Sequence, residues 1–369
     1  MHHFIFPSQD TWISSGSSII TGESFKDQNF GRDQILEVKK EFYNSSFNYP
    51  TRALVNFSGT EFTELSKSVA DGTIPSSAKY YLRLYEAEGN AELTEEYKLA
   101  IQPISESWTE GTGKNEDNPK NTNGCSWENR SNPIGGSEIS WVTGSNGPSI
   151  LNVSQSEQSF TNQSPDVEVE VTNMVNMWIN GEKENYGMVV RFSGSQETDE
   201  TTFGHLKFFS RNTHTIFSPR LEVRWDDHLP CTGSNTGSLN QITSSGLVNN
   251  DINMIGLKEF YRESDKVKFR LKAREKFVKK TFSTSYQTAT GSYIPEKSGS
   301  YSIKDVASDE TIVPFSDYTF LSCDSKSNYF IQWLNTFEPD RVYKIIYKLK
   351  YDDGQEEIID NDFEFKIKR

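Results

Sequence analysis

The stretch Lys266-Val267-Lys268-Phe269-Arg270-Leu271-Lys272-Ala273-Arg274 decides how this chain is read. Successive side chains of a β-strand point to opposite faces, so a strand puts Val267, Phe269, Leu271 and Ala273 on one side and five cations on the other. The same period of two recurs in Ala53-Leu54-Val55-Asn56-Phe57, Lys79-Tyr80-Tyr81-Leu82-Arg83-Leu84-Tyr85, Met188-Val189-Val190-Arg191-Phe192 and Val342-Tyr343-Lys344-Ile345-Ile346-Tyr347. A helix would show a period near 3.6 instead. Between these runs lie stretches rich in Ser, Gly, Asn and Pro, the residues that turns select. The pattern predicts an all-β protein.

At 369 residues the chain exceeds a typical single domain. Residues 1–228 read as a large, jelly-roll-like β-sandwich, 229–250 as a linker rich in Pro, Gly, Ser and Asn, and 251–369 as a smaller immunoglobulin- or fibronectin-like β-sandwich. Residues 111–147 hold much of the Gly and Asn and read as a long surface loop. One short helix is expected after Val171, with Thr172 as its cap, Val175 and Trp178 on one face, and Asn180-Gly181 as its stop. The pair Asp353-Gly354 between two alternating runs predicts a hairpin.

Composition excludes several functions. A net charge of −14, from 38 basic and 52 acidic residues, sets the whole chain against polyanions, so no direct nucleic-acid contact is expected. No apolar window approaches a membrane span, and Met1–Pro7 has neither the basic segment nor the apolar length of a secretory signal. Cys125, Cys231 and Cys323 are scattered and odd in number, and the expectation is that they are reduced packing residues. The five histidines lie in no catalytic signature. The acid pairs Asp199-Glu200, Asp226-Asp227 and Asp352-Asp353 lack the spacing of a calcium loop and read as solvated turn acids. No enzyme, catalytic residue, metal or cofactor is expected.

Two surface features remain as candidate sites. Trp108, Trp127 and Trp141 fall in or beside the long loop, where an exposed indole stacks on sugar rings or, buried, plugs the end of a sandwich. From Lys258 to Lys280 there are ten basic and four acidic residues. Within it Lys266, Lys268, Arg270, Lys272 and Arg274 form a basic strand face fit to meet an acidic neighbour, such as another copy of the chain, or simply to solvate a face.

The order Asp10-Thr11-Trp12-Ile13, Asn29-Phe30-Gly31, Arg52-Ala53-Leu54-Val55-Asn56-Phe57, Ile74-Pro75-Ser76-Ser77-Ala78-Lys79-Tyr80, Trp108-Thr109-Glu110-Gly111 and Val175-Asn176-Met177-Trp178-Ile179-Asn180-Gly181 resembles the DNRLRE-type β-sandwich, itself similar to a class of carbohydrate-binding modules. The run from Lys207-Phe208-Phe209-Ser210-Arg211 through Ser218-Pro219-Arg220-Leu221-Glu222-Val223-Arg224-Trp225-Asp226-Asp227 goes further. With Ile303-Lys304-Asp305, Tyr318-Thr319-Phe320-Leu321-Ser322-Cys323-Asp324, Glu338-Pro339-Asp340-Arg341-Val342-Tyr343 and Asp360-Asn361-Asp362-Phe363, it looks like a virion structural protein of T-even-like marine tailed phages. That resemblance implies a non-enzymatic assembly role in the neck, collar or tail, next on the head surface. Its partners would be other virion proteins and copies of itself, with assembly in the host cytoplasm. In this reading Arg211, Arg220 and Arg224 pair with Asp226 and Asp227 to fix the interdomain angle, or Arg220 and Arg224, on one strand face, simply solvate an edge. The alternative is a carbohydrate-binding module that contacts a host glycan.

Overall fold

The computed structural model describes all residues except 19–21, 44–46, 89–95, 162–165, 243–249, 278–281, 283 and 286–290. The fold is all-β: the strands belong to sandwich-like sheets, and among the described residues two α-helices accompany them. The chain divides into two units, Ile5–Val223 and Arg224–Arg369, the latter joined by Met1–Phe4.

In the first unit the strands Arg220–Arg224, Lys79–Leu84 and Val167–Glu170 run side by side. The larger sheet is built around Phe47–Asn56, which pairs with Gln9–Ser14, Ile35–Tyr43 and Met188–Phe192. It continues through Glu96–Pro103 to the edge strand Ser156–Thr161. Alternation sets the faces as expected: in Lys79–Leu84 the side chains of Tyr80, Leu82 and Leu84 are buried and those between them half-buried.

The short helix forms over Thr172–Ile179, burying Met174, Val175 and Trp178. Thr172 does not cap it: its hydroxyl accepts from the Tyr80 amide at 3.1 Å and so ties the helix start to the neighbouring strand. A second helix, Thr60–Ala70, lies outside the sequence expectation, although Phe62 and Leu65 do recur at helical spacing and are its buried residues. The Phe62 and Trp178 rings meet edge-on at 6.1 Å.

In the second unit two sheets pack face to face. One runs Asn240–Gln241, Ser292–Tyr293, Lys266–Glu275, Asn328–Trp333, Ser322–Cys323, with Asn250–Ile255 also paired to Lys266–Glu275. The other runs Phe260–Arg262, Glu356–Lys368, Val342–Lys350, Gly299–Asp305, Thr311–Val313. Aromatic rings fill the layer between them: Phe330 stacks on Tyr301 at 3.7 Å, and Phe269 lies 5.1 Å from Phe330 and 5.2 Å from Phe365. The hairpin turn is where Asp353-Gly354 predicts it, and Gly354 takes the positive φ of 86° that the turn requires.

The structure departs from the sequence expectation at the cysteines and at 229–250. Cys231 and Cys323 form a disulfide across 92 residues, with Cα atoms 4.9 Å apart. Spacing along the chain carried no trace of this, because the strand Ser322–Cys323 meets the 229–231 segment only through the fold: the Cys323 amide bonds the Leu229 carbonyl. Cys125 alone is a free, buried thiol. The described part of 229–250 is likewise not a loose linker. Cys231 anchors it, Glu296 accepts from the Cys231 amide at 2.6 Å, and Asn240–Gln241 joins the sheet in parallel with Ser292–Tyr293.

Candidate functional site

The basic strand Lys266–Glu275 is interior to its sheet, hydrogen-bonded to Asn328–Trp333 along one stretch and to Asn250–Ile255 along another. Phe269, Leu271 and Ala273 are buried beneath it, while Lys266, Lys268, Lys272 and Arg274 are exposed and Arg270 is half-buried. The five cations thus share one outward face. Rings on the neighbouring strand align them: the Lys268 ammonium sits 3.9 Å above the Tyr329 ring and that of Lys266 5.0 Å above Trp333.

Carboxylates pin two of the five. Arg270 grips Asp324 through both Nη atoms, at 2.7 and 3.0 Å, and Arg274 reaches Asp251 at 2.8 and 3.0 Å. The Arg270 contact, with amide bonds from Lys326 and Ser327, holds the Asp324 carboxyl down to about 2. Lys268 lies 3.8 Å from the same carboxylate. The face therefore sets five cations against two carboxylates, and contacts within the sheet position Lys266, Lys268, Arg270 and Arg274.

The tryptophan expectation resolves toward packing. Trp108, Trp127 and Trp141 are 6%, 5% and 2% exposed and form one core cluster with Ile13, Leu54, Ile104, Cys125 and Val189. Each indole N–H is spent on a backbone carbonyl at 2.9 Å: Trp108 on Tyr186, Trp127 on Ser145, Trp141 on Ser126. Their ring faces are closed to sugar stacking, and Arg52 covers Trp127 at 4.7 Å. The long loop is tied over them by Asn29, whose amide donates to Glu110 and Cys125 carbonyls and accepts from Gly31 and Gly113. A Cβ at Gly111 would fall 2.3 Å from the Asn29 oxygen, so only glycine fits there.

Of the arginines expected at a domain junction, Arg211 and Arg220 contact other residues. Arg211 bonds Glu110 at 3.0 and 3.1 Å, and its amide donates to Asp10 at 2.6 Å. Arg220 is 2% exposed, donates to the Ile216 carbonyl, and lies over the Phe6 and Tyr85 rings. Arg224 ends its strand, half-buried. The side chain of Asp226 accepts from the His228 amide, and Asp227 pairs with the Met1 ammonium.

Three buried polar groups went unread. Lys40 is 1% exposed; its ammonium donates to the Gln196 carbonyl and to Asp199 Oδ1, each at 2.7 Å. Burial opposes ionisation of Asp199, but Lys40 and Thr202 outweigh it and hold the carboxyl far below its usual range. The signal was present, since Leu36, Val38 and Lys40 share a strand face. Asp10 is 1% exposed, and burial pushes its carboxyl up to about 8. Asp305 has a fully buried side chain held by Arg341 through two bonds of 2.6 and 2.7 Å.

A polar hollow of about 570 Å³ lies in the long loop, lined by Lys120, Asn121, Asn123, Asn132 and neighbouring residues. Among the described residues no three His, Cys, Asp or Glu side chains converge as a metal site, and no helix is long and apolar enough to cross a membrane.

No family model matches the chain, and no curated protein does. Among solved structures, the adhesin domain of Epf from Streptococcus pyogenes aligns over 100% of this chain and 92% of that one, at 7% identity and a TM-score of 0.17. Likeness at that level bears on neither fold nor function.

Proposed function

We propose that this chain is a non-enzymatic structural part of a tailed-phage virion, used in several copies as an adaptor in the neck, collar or tail region, with the head surface as the next station. The observation that carries the reading is the outward face of Lys266–Glu275: five cations on an interior strand, set against the two carboxylates of Asp324 and Asp251. Such a face steers and orients an acidic partner surface. The sequence strings from Lys207 to Phe363 that resemble a virion protein support it. So does the cystine, which suits a particle that leaves the reducing cytosol for an oxidising exterior.

Electron microscopy of purified particles tests the proposal. Density for the chain as a ring between head and tail, or along the tail, with the basic strand at a contact, is expected. Absence from particles overturns it.

The alternative, contact with a host glycan, is favoured only by the polar hollow, whose amides suit sugar hydroxyls. It requires density at a fibre tip with that hollow outermost. Calorimetric titration with host polysaccharide that releases no heat rejects it.

A further inference from the structure

The two units divide the charge unequally. From Ile5 to Val223 there are 17 basic and 30 acidic residues, a net of −13, whereas the remainder holds 21 and 22, a net of −1. Nearly the whole excess of negative charge sits on one unit, and the basic face sits on the other.

The first unit also concentrates acids at an open margin. Ser156–Thr161 ends the larger sheet and Val167–Glu170 ends the smaller run of strands. The two edges lie together: Ser156 Oγ donates to the Glu170 carbonyl at 2.6 Å, and the Glu168 amide donates to Gln158 at 2.8 Å. Glu157, Asp166, Glu168 and Glu170 are all exposed there, and residues 154–171 contain no base. Lys79 reaches this margin at 2.9 Å from Glu170, and Arg83 lies opposite Glu168 on the adjacent strand.

We propose that the basic face of one copy receives the acidic edge of the first unit of a second copy. This deepens the adaptor reading and rests on it. Opposite charges on different units make the contact heterologous: each copy offers a face and an edge, so the contact repeats from copy to copy into a ring or a filament. Edge strands that would otherwise invite indiscriminate pairing are thereby given one charge-selected neighbour.

Sedimentation velocity on the full chain tests it. At about 50 mM salt species larger than the monomer are expected, dissociating at about 500 mM as exposed charges are screened. Lys266→Glu with Lys268→Glu and Lys272→Glu, which leaves both arginine–aspartate pairs in place, is expected to weaken association at least about tenfold. Glu157→Lys with Glu168→Lys and Glu170→Lys is expected to do the same. Mixing these two charge-reversed proteins restores association, because each reversed face meets a reversed edge. Should either reversal fail to fold by circular dichroism, the milder Glu→Gln set at the same three positions must still weaken the wild-type association.

A chain that stays monomeric at low salt overturns the contact, as does association indifferent to both reversals or a mixture that stays apart. Were that monomer nonetheless found inside particles, the adaptor reading would survive without this contact. Self-association by a chain absent from particles would do the reverse.

Discussion

Asp10 shows how one buried side chain sets a pH dependence. Burial raises its carboxyl to about 8, with the nearby Glu110 acting in the same direction and the Arg211 amide against it. In the unfolded chain the same group titrates near its ordinary value of about 3.9. Between those limits the folded protein holds a proton that the unfolded one has released, so this group's contribution to stability falls as pH rises from about 4 to 8. Asp10→Asn is expected to flatten that part of the stability profile, measured by urea denaturation across the range; an unchanged slope would refute the assignment. Trp141→Ala should cost about 3 to 5 kcal/mol, because it removes a buried ring and strands the Ser126 carbonyl. With the wild-type indoles enclosed, oligosaccharide should leave tryptophan emission unchanged.

Elements follow from alternation where the environment of a strand is one-sided. Lys79–Leu84 and Lys266–Glu275 were legible because one face is apolar and the other polar. Thr60–Ala70 was not, since its buried stripe consists of little more than Phe62 and Leu65 amid Ser, Thr and Glu. The tryptophans escaped for a different reason: they sit in loop sequence, where periodicity says nothing of burial, and it is long-range bonds such as the Asn29 cross-brace that close the loop over them. The basic face was readable residue by residue, but its carboxylate partners Asp324 and Asp251 lie on other elements, 54 and 23 positions away. The Asp305–Arg341 bridge joins two of the strings singled out in the sequence, yet neither string announces the other. Arg341→Met leaves the Asp305 carboxylate buried without its cation, and about 3 kcal/mol of stability should be lost, read from the shift in denaturation midpoint.

For the whole molecule, the division into Ile5–Val223 and the remainder assigns the cystine to one unit alone. A cross-link spanning 92 residues restricts the unfolded chain, a stabilisation of about 4.6 kcal/mol in the chain-entropy picture. Scanning calorimetry of the intact protein with and without reductant should lower the transition of the second unit and leave that of the first in place. Equal displacement of both would contradict the division.

The same cystine also decides how the chain carries tension. Once the second unit unravels under a pull along the chain, the covalent path runs through the sulfur–sulfur link from Cys231 to Cys323 and bypasses the backbone between them. When that unit gives way, those residues stay gathered in their covalent loop, so the released length falls short of the reduced chain's by roughly 300 Å. Under load the second unit would thus yield by a shorter, bounded step than its reduced form.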